Sequence, residues 1–329
     1  MKNNFKKFTA ILLAIILVSA VALTGCSSKE SVLIYTSVED YVIEDMNARL
    51  SEQFPNYNIT IEYVSTGSHA AKLLTEGVDS ECDITYDLEY AYMEQLAQAG
   101  VLADLSSYDT SIYEPDTVAS KNYLVQCRVG GAIIVNTEVL KEKNLPEPTS
   151  YEDLLKPEYK DLVSMANPKS SGTGYMFYKS LVNAWGEEKA LAYFDSLTNN
   201  ILQYTSSGSG PVNALLQKEV AVGFGMTSHA VTQINEGSPL KVLFFEEGSP
   251  FTMYGQSMVK GKDERTCVKE VFDFLVKTYS YELNEKFFPE KMFKDKTFAV
   301  ENYPENIVYS DMSNNTIAEK EALLGKWKY

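Results

Sequence analysis

The sequence predicts an α/β fold with a mostly parallel sheet, divided between two domains. Short apolar runs typical of buried strands alternate with stretches in which apolar residues recur every three or four positions, as in amphipathic helices. This alternation implies right-handed crossovers between parallel strands. The chain has 329 residues, more than one typical hydrophobic core accommodates, and the length therefore predicts two domains.

Polar residues follow the predicted strands of the first half. Strands are predicted at 31–36, 58–64 and 82–86. Helices are predicted at 37–54, after Ser68 through Ala71 and Leu74, and at about 90–99. In parallel sheets, ligands bind at the carboxyl ends of the strands, which makes Thr36, Ser37, Thr66 and Ser68 candidate ligand-binding residues. Ser37 has an alternative role as a helix cap, because Asp40 stands three residues later.

Two turns rich in serine and glycine precede predicted helices in the second half. Free N–H groups and the positive end of the helix dipole attract anions at such turns, and hydroxyl groups add further donors. The second turn leads into Pro211, which suits a first helical turn. Helix capping is the alternative role, and we expect Ser170 to be a cap or to face solvent. The candidate ligand-binding residues of the two turns are Ser171, Gly172, Thr173, Ser207, Gly208 and Ser209.

The remaining chain continues the alternating pattern. Segment 123–135 is predicted to be one long strand that passes between the domains, with Gly130 and Gly131 inside it. Further strands are predicted at 220–226 and 241–245, followed directly by a helical region through Tyr279. Thr316 with Glu319 is predicted to cap a last amphipathic helix.

The N-terminal segment has the pattern of a processed export signal. Three lysines precede an apolar run from Ala10 to Leu23, which is short for a membrane span. The run ends in Leu23-Thr24-Gly25-Cys26, which resembles the lipobox of bacterial lipoproteins. That resemblance implies a signal peptide at 1–25, lipid modification of Cys26 and a tether at 26–30. An ordinary secretory signal is the alternative.

Composition limits the classes of partner and site. The formal net charge of -16 argues against nucleic acid as a partner. Besides Cys26 the chain has Cys82, Cys127 and Cys267, an odd number without CxxC spacing. We therefore expect buried free thiols, with a Cys82–Cys127 bridge as the alternative, and neither a metal site nor a cofactor. The sequence also contains no GxSxG, HExxH or Walker motif.

Several segments occur in an order that resembles a known family. They are the lipobox, Leu33–Ser37, Tyr63–Ser68, Pro148–Leu155, Asn167–Thr173 and Gly208–Pro211. Together they are similar to the substrate-binding proteins of ABC importers, in the branch that contains binders of ferric iron, phosphonates and sugar phosphates. The resemblance spans residues 30–329.

This resemblance implies a type II periplasmic-binding-protein-like fold, in which two α/β lobes joined by two hinge strands close on a ligand. Lobe 1 would comprise 31–134 plus 246–329 and lobe 2 would comprise 135–245, with hinges near Ala132–Asn136 and Leu243–Phe245. The implied partners are a permease and an ATPase. The protein would be a monomer without enzymatic activity, lipid-anchored on the outer side of the cell membrane.

The resemblance also bears on the ligand. The family's iron binders hold metal with an adjacent tyrosine pair, whereas the matching segment here reads Gly225-Met226-Thr227-Ser228-His229. The hydroxyl-rich turns match the binders of small anions, so we expect an organic anion, with Thr227 among its contacts. Arg128 is a further candidate contact, with pairing to Asp87 or Glu89 as its alternative. His69 and His229 each have two interpretations, as metal ligands or as surface or capping residues.

Other functions remain open at this stage. A cation binder, for ferric iron or a polyamine, is the main alternative, because Glu39, Asp87 and Glu89 lie near predicted strand ends. A secreted hydrolase would need a base, and the chain offers only its two histidines. A structural or adhesive lipoprotein is a further alternative.

Overall fold

The computed structural model describes residues 29–117 and 120–329, which form a mixed α/β fold with nine strands in one sheet. The strands are β1 (Ser31–Thr36), β2 (Asn58–Tyr63), β3 (Ile84–Glu89), β4 (Leu124–Asn136), β5 (Val163–Ala166), β6 (Ile201–Thr205), β7 (Val222–Met226), β8 (Leu240–Leu243) and β9 (Phe251–Met258). The predicted signal peptide and the lipidated Cys26 lie outside the described residues.

Helices connect these strands along most of the chain. In the described residues the α-helices are α1 (Asp40–Gln53), α2 (Thr66–Glu76), α3 (Tyr90–Gln98), α4 (Thr137–Glu142), α5 (Gly172–Trp185), α6 (Glu187–Leu197), α7 (Gly210–Leu216), α8 (Thr227–Asn235), α9 (Thr266–Phe274), α10 (Ser280–Lys286) and α11 (Ile317–Lys326). A π-helical stretch, Leu275–Tyr279, joins α9 to α10. None of the helices in the described part of the chain has the length and apolarity that a membrane span requires.

The sheet consists of two groups of parallel strands joined by antiparallel ones. Its order is β2-β1-β3-β9-β4-β7-β5-β6, with β8 paired to β4. The first strand group is β1, β2 and β3, which are parallel to one another, with β9 antiparallel to β3. The second strand group is β5, β6 and β7, also mutually parallel, with β8 on the other edge of β4. This is the predicted α/β architecture.

Strand β4 runs through both strand groups, which agrees with the single long strand predicted at 123–135. Its first part pairs with β9 up to Gly130, and its second part pairs with β7 and β8 from Gly131 onward. All 13 of its residues are buried. Both glycines are needed for close approach: a Cβ on Gly130 would lie 2.5 Å from Oε1 of Glu290, and one on Gly131 would lie 2.6 Å from Cε of Met176. The sheet therefore changes partners just before the predicted hinge at Ala132–Asn136.

Strand β9 was not predicted, because the sequence analysis placed helix directly after segment 241–245. The strand is buried on both faces and therefore lacks the alternation of a half-buried strand. Its polar side chains are satisfied internally: Thr252 donates to Glu89 at 3.2 Å, and Gln256 donates to Ser280 at 2.9 Å. Through β9 the chain returns from the second strand group to the first, and the N–H of Gly131 donates to the carbonyl of Pro250 at 2.7 Å beside this crossing.

The C-terminal helix α11 contacts both strand groups. Thr316 accepts a hydrogen bond from the N–H of Glu319, which confirms the predicted cap. Lys320 forms a buried ion pair with Glu89 of β3 at 2.6 Å. Trp327 packs against Tyr178 of α5, in the second group, with ring centroids 5.2 Å apart. The predicted assignment of 246–329 to lobe 1 remains a prediction.

The three cysteines of the described residues are buried free thiols, as predicted.

Candidate functional site

A small cavity lies between the two strand groups, at the carboxyl ends of their parallel strands. Its volume is about 20 Å³, room for a single water molecule. It is lined by Ser37, Val38, Glu39, Tyr63, Thr66, Asp87, Val129, Ser170, Ser171, Gly172, Thr173, Ser206, Ser207, Gly208, Met226, Tyr254 and Phe288. We call it the cleft cavity. Any organic ligand requires its walls to separate.

The first serine-rich turn positions the start of α5 on the cavity wall. Ser171 is the N-cap, and its Oγ accepts a long hydrogen bond, 3.5 Å, from the N–H of Gly174. A Cβ on Gly172 would lie 2.6 Å from the hydroxyl oxygen of Tyr254, so this turn packs directly on β9. Ser170 lines the cavity as well, and its Oγ donates to the carbonyl of Asn167 at 3.3 Å. The N-cap is therefore Ser171 and not Ser170, which is half-buried, so the lesser importance of Ser170 for binding remains a prediction.

The second turn contacts the opposite strand group. A Cβ on Gly208 would clash with Oγ1 of Thr173 and would lie 2.9 Å from Oε1 of Glu39. Ser207 lines the cavity, whereas Ser209 does not, and their hydroxyl oxygens are 3.1 Å apart. The turn before α7 is thus held against α5 on one side and against a carboxyl group from the first strand group on the other.

The first strand group supplies the rest of the wall. Ser37 donates from Oγ to the carbonyl oxygen of Asp87, which is also on the wall. It does not cap α1, whose N-cap is Glu39. Thr66, the first residue of α2, lines the cavity, and the N–H of its neighbour Gly67 lies 3.5 Å from the carbonyl oxygen of Ser170. The two strand groups are therefore in direct contact around the cavity.

Seven of the twelve candidate ligand-binding residues line the cleft cavity, and five do not. The seven are Ser37, Thr66, Ser171, Gly172, Thr173, Ser207 and Gly208. Of the others, Thr36 accepts from the N–H of Val38 at 3.1 Å and Ser68 is exposed beside Ser65. Thr227 is buried at the start of α8, one residue after Met226 of the wall.

Arg128 is used within the protein. Its guanidinium donates to Asp116 at 2.6 Å and stacks over the ring of Phe251, 5.2 Å from the centroid. It pairs with neither Asp87 nor Glu89, the two acids considered from the sequence. Glu89 pairs with Lys320 instead. Arginine and lysine are absent from the cavity wall.

Comparison with known families identifies the chain. Residues 80–316 match the model of the bacterial extracellular solute-binding protein family. The chain belongs to this family. The match covers most of the chain and confirms the resemblance to substrate-binding proteins of ABC importers. An uncharacterized protein of Haemophilus influenzae is 25% identical over 289 residues, which is 85% of this chain and 83% of that protein.

Solved structures of binding proteins share the fold of this solute-binding protein. The periplasmic binding protein P5PA gives a TM-score of 0.80 at 22% identity, over 91% of this chain and 98% of that chain. AfuA of Actinobacillus pleuropneumoniae, with fructose-6-phosphate bound, gives 0.77 at 24% over 91% and 98%. Apo ferric ion-binding protein A of Pasteurella haemolytica gives 0.69 at 16% over 90% and 96%. Identities this low establish the type II fold and leave the ligand open.

Two carboxyl groups dominate the electrostatics of the solute-binding protein's cavity. Burial raises the pKa of Glu39 to about 7, and the Ser209 hydroxyl and N–H offset part of that rise. Burial, followed by repulsion from Glu39, raises the pKa of Asp87 to about 8. Two buried acids in one site resist joint ionisation unless a positive charge approaches.

Sequence analysis missed several wall residues of this solute-binding protein. Tyr254 lies on the unpredicted β9, and Phe288 carries no local motif. Tyr63 begins the segment Tyr63–Ser68 but was not among the candidate contacts. The sequence suggests Glu39 and Asp87 as residues of a cation binder, and Asp87 also as a possible partner of Arg128. Their position after β1 and within β3, at the same sheet edge as the serine turns, was the available signal.

Both histidines are buried, so their surface readings are wrong. His69 contacts Oγ1 of Thr85 at 3.0 Å, and burial lowers its pKa to about 3. His229 stacks on Tyr41 with centroids 5.3 Å apart, and burial lowers its pKa to about 4. Within residues 29–117 and 120–329, no group of three histidine, cysteine or acidic side chains is arranged to hold a metal ion.

Proposed function

We propose that this solute-binding protein is the substrate-binding lipoprotein of an ABC importer. It captures a small organic anion, a phosphonate, sugar phosphate or carboxylate, between two lobes and delivers it to a membrane permease. Family membership supports the transport role. The observation that carries the anion is the meeting of two helix N-termini, those of α2 and α5, with serine and threonine hydroxyls on one cavity.

The energetics of such a site are sufficient for transport. A helix N-terminus contributes about 0.3–2 kcal/mol to a bound anion. Each hydrogen bond to a charged group adds about 1.5–3 kcal/mol. Two helix ends and a few hydroxyl bonds offset the cost of association and reach about -8 kcal/mol, a micromolar affinity. The solved relative with fructose-6-phosphate is one example of a bound organic anion in this fold.

Closure supports the same role. Gly67 and Ser170 are in contact across the cavity, so the ligand-enclosing form has contacts from both strand groups. A ligand drives closure only through contacts that exist in the closed form. Donors from α2 on one side and α5 on the other satisfy this condition. In this proposal the hinge lies near the predicted Ala132–Asn136 and Leu243–Phe245, and the change of sheet partner at Gly130–Gly131 of β4 supports the first of these positions.

A thermal-shift screen tests the anion. Phosphonates, sugar phosphates and dicarboxylates should raise the melting temperature, while uncharged sugars should not. Ser171→Ala and Thr173→Val should each weaken binding by about 1–3 kcal/mol, the cost of one lost hydrogen bond to a charged group. Ser68→Ala is the matched control, because Ser68 is exposed and lies off the cavity wall. Stabilisation by uncharged sugars or polyamines alone would contradict the anion.

A purely cationic ligand is the second candidate, favoured by Glu39 and Asp87. The absence of an adjacent tyrosine pair argues against ferric iron as that cation. A visible tyrosinate–iron absorption band in purified protein would reverse this expectation. A polyamine would use the two acids but would leave the N-termini of α2 and α5 without a partner. An anionic ligand would contact more of the residues that line the cavity than a polyamine would.

A further inference from the structure

The cavity wall contains two acids that no residue of the wall neutralises. Glu39 is 8% exposed and Asp87 is 5% exposed, and they are the wall's only charged side chains. Two cationic side chains of this region form ion pairs with other acids: Arg128 with Asp116, and Lys320 with Glu89. A buried carboxylate without a positive partner is costly. Without a ligand the pair therefore retains protons, in line with the raised pKa values of both carboxyl groups, and a cation from outside the wall would favour their ionised forms.

Asp87 is held in position by the fold. Its φ is 56°, in the left-handed region, and it lies where the register of β3 against β9 shifts between Thr85 and Leu88. Strained residues and irregular strand pairing of this kind concentrate at functional sites. The hydrogen bonds of the Asp87 carboxyl group all fall on Oδ1, from Gln126 Nε2 at 2.8 Å and from the Cys127 thiol at 3.9 Å. Oδ2 is left for a ligand.

Glu39 reaches the same space from another element. It is the N-cap residue of α1 but makes no side-chain cap, so its carboxyl group is directed elsewhere. Oε1 lies against the backbone of Gly208, in the turn before α7. Both carboxyl groups line the cleft cavity, and the charge of Glu39 raises the pKa of Asp87. The pair therefore combines one carboxyl group fixed on β3 with one that is in contact with the second strand group.

Aromatic rings complete this part of the wall. Tyr63, Tyr254 and Phe288 line the cavity with the two acids. Ring faces attract a desolvated cation by about 2 kcal/mol or more, and they also cover the apolar part of an organic ligand. Acids together with aromatic rings form a suitable site for an ammonium group. They are a poor site for a second phosphate or carboxylate.

We infer that the ligand is bipolar: beside its anionic group it carries a protonated nitrogen that binds between Glu39 and Asp87. The ligand class is an amino-phosphate or amino-phosphonate. This inference rests on the proposed function and narrows its ligand. A protonated nitrogen compensates both carboxylates, while the anionic group occupies the helix N-termini of α2 and α5. A neutral polyol would leave the two acids uncompensated.

The surroundings of the pair contain no competing cation. The groups that face Glu39 and Asp87 electrostatically are Asp40, Tyr41, Tyr63, Tyr254 and Cys127. The tyrosines and the cysteine are neutral at pH 7, since burial raises the pKa of each of them. Asp40 adds only negative charge. A protonated nitrogen that binds the pair should therefore displace protons from the two carboxyl groups.

Matched ligands test the inference on the full chain. Isothermal titration would compare glucosamine 6-phosphate with glucose 6-phosphate and glucosamine, and 2-aminoethylphosphonate with ethylphosphonate and ethanolamine. In at least one series we expect the bipolar compound to bind ten-fold or more tightly than either partner. At pH 7.5 its binding should release protons, seen as a dependence of the heat on the buffer.

Variants test whether the preference for a ligand with an amino group depends on Glu39 and Asp87. Glu39→Gln and Asp87→Asn should each reduce the amine preference, and the double variant should abolish both the preference and the proton release. Asparagine tolerates the left-handed φ of position 87, so the backbone is kept. Asp40→Asn removes a neighbouring exposed acid and should leave the preference unchanged.

The outcomes separate this inference from the proposed function. Equal or tighter binding of glucose 6-phosphate and ethylphosphonate would overturn the inference and leave the anion proposal standing. If glucosamine and ethanolamine bind as tightly as the matching bipolar compounds, the ligand needs no anionic group, which would contradict the proposed function. An amine preference that survives in the double variant would also overturn the inference. The same holds if none of these compounds binds, and the broader thermal-shift screen would then decide the anion proposal.

Discussion

The backbone N–H of Gly67, in the first turn of α2, lies 3.5 Å from the carbonyl oxygen of Ser170, in the turn before α5. A Cβ on Gly67 would be 2.5 Å from the carbonyl oxygen of Lys169, closer than non-bonded atoms approach. The two residues belong to different strand groups. We expect this contact to be lost when the cleft opens, which would make position 67 a probe of closure.

We predict that Gly67→Ala weakens ligand binding without lowering stability. The added methyl group blocks the closed form, while alanine in a helix is more stable than glycine by about 1 kcal/mol. Affinity for an active compound from the thermal-shift screen should fall at least ten-fold, and urea unfolding without ligand should be unchanged or improved. Gly325→Ala is the control, because nothing lies within 4 Å of its Cβ position on α11. Normal binding by Gly67→Ala would show that closure does not require this contact.

Small-angle scattering should detect the closure directly. The closed cavity holds no more than a water molecule, so ligand entry requires an open form. The wild-type protein should become more compact at saturating ligand, and Gly67→Ala should compact less. A radius of gyration that is the same with and without ligand would contradict closure by lobe movement.

The buried ion pair of Lys320 and Glu89 should be important for stability. Both side chains are 1% exposed and their charged atoms are 2.6 Å apart. Lys320→Met leaves the Glu89 carboxylate buried without a cation, which costs about 3–5 kcal/mol. Lys326→Met removes an exposed pair with Glu187, 46% and 44% exposed, and should cost less than about 1 kcal/mol. Urea unfolding compares the two variants. Equal losses in the free energy of unfolding would show that the buried pair contributes no more to stability than the exposed one.

Stability of the ligand-free protein should decrease as the pH rises from 6.5 to 8. The pKa values of Glu39 and Asp87 are raised to about 7 and about 8, from about 4 in an unfolded chain. The folded protein then binds more protons than the unfolded chain between about pH 4 and pH 8, so the free energy of unfolding falls across that window. The buried histidines act in the opposite direction only below about pH 6.5.

Melting temperatures at several pH values check this dependence. The variant with Glu39→Gln and Asp87→Asn should show a flatter profile than the wild type, because its two amides do not titrate. Asp40→Asn should keep the wild-type slope. A double variant with an unchanged slope would mean that other groups cause the dependence.

We also predict that Cys26 is the lipid-modified N-terminus of the mature protein, from the Leu23–Cys26 motif behind a basic segment. Cells fed with labelled palmitate should incorporate it into the wild-type protein, and Cys26→Ser should abolish the label. Intact-mass analysis that found cleavage elsewhere, or an unmodified Cys26, would exclude this processing.

Local patterns in the sequence determined much of the fold. Segment 123–135, rich in β-branched and other apolar residues, predicts one long strand, and its two glycines mark the change of sheet partner. The serine turns could be identified because a strand, a turn and an amphipathic helix follow one another within a few residues. Thr316 could be identified as a cap because its partner, Glu319, is three residues away.

Tertiary structure decided what depends on contacts distant in sequence. Strand β9 escaped prediction because its polar side chains are buried and bonded to partners such as Glu89, which is 163 residues away. The sequence makes Arg128 a candidate ligand contact, but in the fold its guanidinium binds Asp116. The sequence specified which turns donate hydrogen bonds, because caps and glycines act locally. Only the fold placed Glu39 and Asp87 in the same cavity as those turns, because burial and charge coupling depend on which distant segments meet.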